Sequence, residues 1–350
     1  MNTGAGFHVV PDRPPPGWDE YVGSHPGASA YHIATWPVAV SRLFALPAYF
    51  VTARNEADRI TGVLPLIRQK SWLFGDRLVS LPYFNYGGAL ADDDATHRGL
   101  LERAADLGRE LGVTHIEVRE TQPPPVAWPQ RRDKATLLLD LPATVDDLNR
   151  QLGAKLRSQV KRALREQPTA TFGSSELVGD FYAVFAEVMR DLGTPVYPRR
   201  FFEVLLQELA AECTIVVLRL DNRPVSAAFL VRHRDRLEIP WAATLAAVKS
   251  RSINMALYWE VLRHAVEKGF ATFDFGRSTV DSGPYRFKLQ WGARPVPLHW
   301  AYWRPDEHTQ PDASESGEGR ARALATRIWS RLPTPVANRL GPLISPSLPW

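Results

Sequence analysis

The sequence contains almost no cysteine, little lysine and no long hydrophobic run. Cys213 is the only cysteine among 350 residues, which excludes an internal disulfide framework and a cysteine-based zinc cluster. The longest apolar candidate, Leu43 to Ala53, contains Pro47 and falls short of the ~18 residues of a membrane span. Met1 to Gly6 lack the basic start and the apolar run of a secretory signal, so we expect a cytoplasmic protein.

Several catalytic signatures are also missing. There is no Walker phosphate loop, no glycine fingerprint for dinucleotides, no His-Glu-x-x-His and no Gly-x-Ser-x-Gly. Nucleotide-driven motors, zinc enzymes and hydrolases of these kinds therefore lose support, and we predict no metal site. The composition is that of a soluble globular protein, with 45% hydrophobic and 23% charged residues. The net charge of +4 permits an anionic partner without requiring one.

An internal duplication is the most informative feature of the chain. Each half carries a strand, then a helix, then another strand, at residues 60–67, 100–111 and 114–119 and again at residues 223–231, 257–268 and 271–275. Gly112 and Gly269 follow the two helices, 157 residues apart, where glycine supplies the left-handed closing residue. A repeat of this length is a duplicated domain rather than a solenoid. The pattern predicts an α/β (α+β) fold with two tandem domains, each a sheet covered by helices.

The second half begins with a strongly basic helix. The spacing of apolar residues predicts one helix over residues 145–166, with Thr144 and Asp147 resembling a capping box. The apolar ridge comprises Leu148, Leu152, Leu156, Val160 and Leu164, and the remaining face carries Arg150, Lys155, Arg157, Lys161, Arg162 and Arg165. This face is either solvated or a surface for the phosphates of tRNA, a coenzyme or an anionic lipid carrier.

The chain divides into segments 1–143, 144–304 and 305–350. Pro305 to Gly319 is polar and predicts a linker. Arg320 to Leu332 predicts a basic amphipathic helix, and a proline-punctuated tail follows from Pro333 to Trp350. This last segment is expected either to pack on the body or to contact a membrane surface peripherally.

Polar and charged residues with chemical potential concentrate between Phe273 and Gly292. In Phe273-Asp-Phe-Gly-Arg-Ser-Thr279, the glycine is expected to end a strand, so that Arg277 and Ser278 project where ligands bind in open α/β sheets. Gly283 and Pro284 predict a turn. Alternation of Tyr285, Phe287 and Leu289 with Arg286, Lys288 and Gln290 then predicts a half-buried strand. On that pattern Lys288 is either catalytic or a solvated strand lysine, and Asp274 either a catalytic acid or a buried partner of Arg277 or Arg286.

These residues carry a resemblance to a known family. Phe-Asp-Phe-Gly-Arg-Ser, then Gly-x-Tyr-x-Phe-Lys and Trp-Gly-Ala, resemble the second domain of FemAB-type acyltransferases. More closely, the chain resembles the FemAB-related branch associated with PEP-CTERM/exosortase systems. Further matching stretches cover most of residues 25–303 and lie at Tyr31 to Trp36, Gly62 to Leu66, Phe74 to Pro82, Asn85 to Gly88, Met189 to Tyr197 and Asn254 to Trp259.

The resemblance implies two tandem GNAT-like domains and transfer of an acyl or aminoacyl group to an amine or hydroxyl. The donor would be acyl-CoA or aminoacyl-tRNA as a co-substrate, with no tightly bound cofactor. The acceptor would be a small molecule or a lipid-linked saccharide of exopolysaccharide or cell-envelope assembly. DNA is not an expected partner, whereas tRNA and a membrane surface are open alternatives.

One departure concerns the donor. A GNAT that binds acetyl-CoA places a glycine-rich loop before the helix that follows its bent strand, whereas Ala246 to Met255 contains no glycine. Lys249, Arg251 and Ser252 with the helix N-terminus can still bind an anion. The corresponding region of the first domain contains Asp92 to Asp94 and would repel phosphate. We therefore expect the donor site in the second domain.

The mechanism needs a base and a group that stabilises the tetrahedral oxyanion. Lys288 aligns with a lysine at the catalytic cleft of the family and is expected to stabilise the oxyanion or a donor phosphate. Tyr285 would orient groups or shuttle a proton, and Asp274 or Glu238 would be the base. Further donor-site candidates are Asn254, Tyr258 and Trp241, the last two with core packing as the alternative. Acceptor-site candidates are His32, Trp36 and Tyr197. Cys213 lies in a buried strand pattern and is rejected as a nucleophile.

Two alternatives to the envelope acyltransferase stay open. One is an aminoacyl-tRNA-dependent peptidyltransferase that acts on a peptidoglycan precursor, for which salt-sensitive tRNA binding would speak. The other is a catalytically inactive binding or scaffold protein of a polysaccharide machine, for which ligand binding without turnover would speak.

Overall fold

The computed structural model describes residues 6–71, 75–305 and 316–348, with the backbone alone for 316–322. Residues 1–5 of the expected start, Phe74, residues 306–315 of the expected linker and the last two tail residues lie outside this description. The chain forms two compact units. The first runs to Lys134 and resumes at Pro297, and the second runs over Ala135–Val296 and resumes in the C-terminal helices. The units thus interleave near the chain's end, unlike the expected segments 1–143, 144–304 and 305–350.

The strands alternate with helices in the order that a duplicated α/β unit requires. In chain order they are β1 (Gly6–Pro11), β2 (Ala48–Arg54), β3 (Ile60–Ser71), β4 (Gly75–Val79), β5 (Leu90–Ala91), β6 (His115–Glu120), β7 (Gln130–Arg131), β8 (Lys134–Asp140), β9 (Thr169–Gly173), β10 (Cys213–Leu220), β11 (Arg223–His233), β12 (Arg236–Thr244), β13 (Thr272–Thr279), β14 (Arg294–Pro297) and β15 (His299–Trp303).

The helices of the two units follow the same order. They are α1 (Trp18–Ser24), α2 (Thr35–Phe44), α3 (Asp94–Leu111), α4 (Val145–Gln151), α5 (Ala154–Leu164), α6 (Val178–Asp191), α7 (Arg199–Glu208), α8 (Ile253–Glu267), α9 (Gly283–Leu289), α10 (Ser316–Trp329) and α11 (Thr334–Ile344). A 3₁₀ turn over Ala246–Arg251 leads into α8. No helix of the described ranges is both long and apolar enough to cross a bilayer.

Each unit contains its own sheet with one parallel pair at the same topological position. The first sheet has the order β1-β2-β3-β4-β6-β15-β7, with β5 on β3, and the second has the order β14-β8-β13-β12-β11-β10-β9. β4 pairs in parallel with β6, and β12 with β13. Between these partners run α3 and α8, which both end before a glycine at positive φ, Gly112 at 65° and Gly269 at 76°. The predicted α/β duplication is therefore confirmed.

The second unit has apolar packing on both faces of its sheet. On one face α8 covers Leu237, Phe273 and Phe275, and the basic face of α5 stays outside while Leu156 and Val160 reach the core. An aromatic cluster with Trp241 at one edge covers the other side, comprising Phe181, Phe185, Tyr197, Phe201, Phe202, Phe229 and Trp241. Such dense burial of rings holds β11 and β12 in place without any covalent link.

The single helix predicted over residues 145–166 is instead two helices. Leu152 and Gly153 adopt extended backbone angles between α4 and α5, at ψ 132° and 151°. The apolar spacing survives the break because Leu148, Leu152 and Leu156 are all buried. Thr144 caps α4 as predicted and accepts a hydrogen bond from the Asp147 amide at 3.1 Å. Gly153 is the physical reason for the break, since glycine weakens a helix interior.

The strand predicted for residues 285–289 is wrong, because this segment is helix α9. Ser282 accepts a hydrogen bond from the Tyr285 amide, and Pro284 occupies the first turn. Serine as a cap with proline just inside is a helix start, which we had interpreted as a turn. The expected end of the preceding strand also moves, since β13 runs to Thr279 and contains both Arg277 and Ser278.

The C-terminal tail is helical rather than merely punctuated by proline. The predicted helix 320–332 corresponds to α10, which begins earlier and ends at Trp329. The segment from Pro333 onward then forms α11, with Pro335 in its first turn and Pro342 near its end. Proline is tolerated in the first turn because the amide there has no helical partner.

The burial of α8 yields a matched stability prediction. Leu262 on α8 is fully buried in the core of the second unit, whereas Leu343 on α11 is 75% exposed. Leu262→Ala should lower the free energy of unfolding by about 2–5 kcal/mol, and Leu343→Ala should change it by less than about 0.5 kcal/mol. Denaturant unfolding of both variants measures this, and equal effects would contradict the assigned core.

Candidate active site

The site begins where two parallel strands of the second unit separate. β12 and β13 pair at Arg236–Glu238 with Thr272–Asp274, and their ladder stops there although both strands continue. Two features end it. Ile239 and Pro240 together face the single residue Leu230 of β11, so β12 has a bulge containing a proline without an amide hydrogen. Gly276 in β13 has φ 70°, which interrupts the extended backbone.

Lys288 reaches into this separation from α9. Its Nζ donates hydrogen bonds to the carbonyl oxygens of Gly276, at 2.8 Å, and Arg277, at 3.0 Å. Both carbonyls lie in the part of β13 that has left β12. The side chain is only 7% exposed, so the sequence-based alternative of a solvated strand lysine is wrong. Helix α9 explains this, because its cap at Ser282 aims the Lys288 side chain at the strand.

Two buried carboxylates stand at the last paired position of the ladder. Glu238 and Asp274 are direct register partners and are 4% and 0% exposed. Asp274 Oδ1 accepts hydrogen bonds from the Thr136 hydroxyl and from the Gly276 amide, the latter at 2.8 Å. Thr136 is a site residue that the sequence analysis missed. Its signal is a lone hydroxyl within the apolar run of β8, next to β13 in the sheet.

Electrostatics tie Lys288 to both acids. Burial lowers the pKa of Lys288 to about 8, while the Asp274 and Glu238 carboxylates oppose that shift and Arg277 adds to it. Lys288 is therefore an amine that is charged at neutral pH and loses its proton only slightly above it. A cation beside two carboxylates and above two carbonyls can stabilise a developing negative charge and exchange protons.

The 3₁₀ turn and the start of α8 hold the predicted phosphate-binding residues. Lys249 and Ser252 lie in this turn and Asn254 in the first turn of α8, with Ser252 at φ 59°. Arg251 forms an ion pair with Glu166 after α5, with 2.6 Å between Nε and Oε2. Arg162 of α5 donates to the Ser250 carbonyl oxygen at 3.0 Å. The basic helix α5 is therefore attached to this turn, a link that the sequence analysis did not make.

Several other predicted residues lie in packed positions. Tyr258 stacks on Phe275 and packs against the α8 core, as does Tyr285, and burial raises the pKa of Tyr258 to about 12. Trp241 and Tyr197 belong to the aromatic cluster, with 6.2 Å between their ring centroids. Ser278 differs, because its buried hydroxyl has no hydrogen-bond partner among the described residues. It is thus available to a ligand between β12 and β13.

His32 and Trp36 belong to the first unit. His32 Nδ1 accepts a hydrogen bond from the Ser29 amide at 3.0 Å, so this ring nitrogen carries no proton and the ring serves as a cap of a local turn. Trp36 is fully buried and its ring packs against Tyr31 and Phe84. Cys213 lies within β10, and burial raises the pKa of its thiol well above the usual value, in line with its rejection as a nucleophile.

The separation of the parallel strands is filled in the first unit. The β4–β6 ladder ends at Val79 and Glu117. The segment 80–89 then bonds β6 itself, since Arg119 Nη1 donates to the Phe84 carbonyl at 2.6 Å and the Ala89 amide donates to Glu120 Oε1 at 3.2 Å. Asp93 caps α3 by accepting from the Thr96 amide at 2.7 Å. A carboxylate therefore occupies the helix end that would otherwise attract phosphate.

Comparisons with known proteins agree with this geometry. The Acetyltransferase (GNAT) domain family matches residues 151–289, which include Glu238, Asp274 and Lys288. No curated protein matches the sequence. The second unit therefore contains a GNAT-type acetyltransferase domain.

Solved structures resemble most of the chain in fold. A crystal structure of FemX has TM-score 0.62 at 14% identity, covering 81% of this chain and 94% of that one. The structure of L-PGS from Bacillus licheniformis has TM-score 0.56 at 14% identity, covering 92% and 98%. A tandem GNAT protein from the clavulanic acid biosynthesis pathway has TM-score 0.50 at 13% identity, covering 87% and 100%. The mixed α/β architecture is thus that of tandem GNAT-like domains.

The buried amine of Lys288 predicts a pH dependence of stability. Its pKa is about 8 in the folded chain against an ordinary value of 10.5. Between these two values the unfolded chain binds more protons, so the free energy of unfolding rises with pH, by up to about 3 kcal/mol. Lys288→Met lacks this contribution. The difference between wild type and Lys288→Met should therefore grow in favour of wild type from pH 8 to 10.5.

Denaturant unfolding at several pH values measures that difference. The matched control is Lys268→Met, which removes an exposed lysine after α8 and should give no such trend. A difference that stays flat for Lys288→Met would contradict the burial of its amine.

Proposed function

We propose that the protein transfers an acyl or aminoacyl group from an activated donor to an amine or hydroxyl, in the second unit. The observation that carries the proposal is the separation of β12 and β13, with Glu238 and Asp274 at its closed end and Lys288 bonded to the β13 carbonyls inside it. Parted parallel strands leave backbone amides and carbonyls open to an extended ligand. The buried cation beside them suits the oxyanion of acyl transfer.

In this proposal the charged groups divide the chemistry. Lys288 in its ammonium form stabilises the tetrahedral oxyanion. Asp274, whose Oδ1 already accepts two hydrogen bonds, positions Lys288 and Gly276. Glu238 takes the proton from the acceptor as the new bond to the acyl carbon forms. The bond from that carbon to the donor's sulfur or oxygen breaks, and the leaving group receives a proton. Tyr285 is left as a packing residue of α9 that keeps Lys288 in place.

The donor's phosphates would lie at the 3₁₀ turn and the start of α8. Exposed Lys249, together with Ser252 and Asn254, supports this placement. Arg251 contributes through its ion pair with Glu166, which ties the turn to α5. Arg277 and Ser278 would line the pantetheine or aminoacyl end of the donor between the strands. Trp241, Tyr258 and Tyr197 shape the walls from packed positions, and His32 and Trp36 hold the first unit's local structure near a proposed acceptor surface.

An aminoacyl-tRNA donor is the second candidate, and the exposed basic face of α5 favours it. Lys155, Lys161 and Arg165 are exposed on or just after a helix attached to the phosphate-binding turn. No glycine in that turn lets a pyrophosphate approach the backbone closely, which also disfavours acetyl-CoA. The fold similarity to FemX and L-PGS is compatible with this donor. The acceptor would be an exopolysaccharide or envelope saccharide, as in the PEP-CTERM/exosortase-associated branch, or a peptidoglycan precursor.

Donor titrations by calorimetry test the proposal. Acetyl-CoA, a longer acyl-CoA and an aminoacyl-tRNA are titrated at two salt concentrations, and we expect one of them to bind in the micromolar range. For tRNA, the triple variant Lys155→Gln, Lys161→Gln, Arg165→Gln should flatten the salt dependence by about one in log–log slope for each lost phosphate contact.

Lys288→Met separates catalysis from binding. It should change the donor's Kd by less than about threefold while lowering turnover of the bound donor by about 100-fold or more. Glu238→Gln should behave in the same way. Binding with wild-type turnover in Lys288→Met, or no binding of any of the three donors, would overturn the proposal and leave the scaffold alternative.

A further inference from the structure

The C-terminal helices expose an unusual amount of apolar surface. Of the nine large hydrophobic side chains that are exposed in the described chain, six lie within α10 and α11. They form what we call the arm surface, which comprises Leu324, Ile328, Val336, Leu340, Leu343 and Ile344, with exposures from 38% to 75%. The remainder of the molecule offers no comparable cluster among its described residues. Such contiguous exposed apolar patches mark interaction sites.

The two helices pack on the second unit by their small residues. A Cβ atom on Gly341 would lie 2.8 Å from the Val196 amide nitrogen, and one on Gly193 would lie 2.5 Å from the Thr326 carbonyl oxygen. Ala337 and Gly341 are accordingly buried. These close contacts fix which face of each helix meets the body. The large apolar side chains therefore point away from the body, opposite to the usual arrangement of a surface helix.

The exposed face is also purely cationic. Arg327, Arg331 and Arg339 are exposed, and residues 323–348 contain no aspartate or glutamate. Arg327 and Arg331 are spaced at helical intervals from Leu324 and Ile328, so all four share one face of α10. Arg339 follows Val336 by three residues on α11. Apolar and cationic groups thus alternate over one surface without any acid on these helices to neutralise it.

We infer that the arm surface lies on an anionic phospholipid bilayer, with α10 and α11 in the plane of the interface. Leucine and isoleucine side chains would enter the acyl boundary while arginines meet lipid phosphates. The helices are 14 and 11 residues long, too short to span the hydrocarbon core. A second copy of the chain is a poorer occupant, because it would bring arginines against arginines. The inference does not depend on the proposed transferase activity.

Sedimentation with sucrose-loaded vesicles tests this occupant. The full chain should bind vesicles of phosphatidylcholine with phosphatidylglycerol, bind pure phosphatidylcholine far more weakly, and dissociate from the anionic vesicles as salt rises. The triple variant Leu324→Ser, Ile328→Ser, Leu343→Ser should weaken binding about tenfold for each side chain. The triple variant Arg327→Gln, Arg331→Gln, Arg339→Gln should weaken it about fivefold for each arginine.

Matched controls lie elsewhere on the second unit. Val280→Ser removes an exposed apolar side chain and Arg232→Gln an exposed cation, both outside the arm, and both should bind vesicles like wild type. All six arm substitutions are on the surface, so an unchanged melting temperature verifies that the variants fold. Failure of wild type to sediment with any vesicle would overturn the inference. So would a dimer, seen by light scattering against the 39.2 kDa chain, that the leucine variants dissociate while vesicle binding is unaffected.

Discussion

The candidate site depends on one buried amine. Lys288 donates to the carbonyl oxygens of Gly276 and Arg277 at the point where β13 has left its partner strand. Buried carbonyls without a donor are costly, so a strand that parts from its neighbour needs another partner. Lys288 supplies it, and the two carboxylates Glu238 and Asp274 offset part of the cost of burying the ammonium. Structural support and chemical potential therefore reside in the same side chain.

The two units solve the same topological problem differently. In both, a parallel pair of strands separates after three paired positions. In the first unit the separated backbone is bonded by segment 80–89, and the start of the following helix is capped by Asp93. In the second unit the bulge at Pro240 and the positive φ of Gly276 keep the strands apart, and basic residues precede the helix. A duplicated fold thus carries one closed and one open version of a single feature, and we propose the open one as the donor site.

The sequence predicted features that depend on local chemistry. Gly112 and Gly269 closed their helices as expected, and Asp221 and Asn222 formed the predicted turn with φ of 49° and 63°. The duplication and the α/β class followed from these signals. The segment 285–289 was assigned the wrong period, because seven residues with alternating polarity fit a short helix as well as a strand. The decisive signal was the cap, Ser282 before Gly283 and Pro284.

Features that depend on distant parts of the chain were not predictable in this way. Thr136 and Asp274 are separated by 138 residues, and only the sheet order brings β8 beside β13. The burial of Lys288 likewise follows from the parting of two strands, which no local pattern encodes. The outward apolar faces of α10 and α11 depend on how closely Gly193 and Gly341 allow them to approach the body. The amphipathic pattern alone predicted a helix but not which face it would bury.

Amide hydrogen exchange with and without donor tests the central claim most directly. Acetyl-CoA and an aminoacyl-tRNA are added in turn at saturating concentration, and exchange is followed by mass spectrometry in peptides of both units. The account predicts slower exchange in residues 239–255 and 275–279 with the productive donor, and no change in residues 80–89. Protection confined to residues 80–89, or none in 239–279 with a donor that binds, would contradict the assignment of the active site to the parted strands of the second unit.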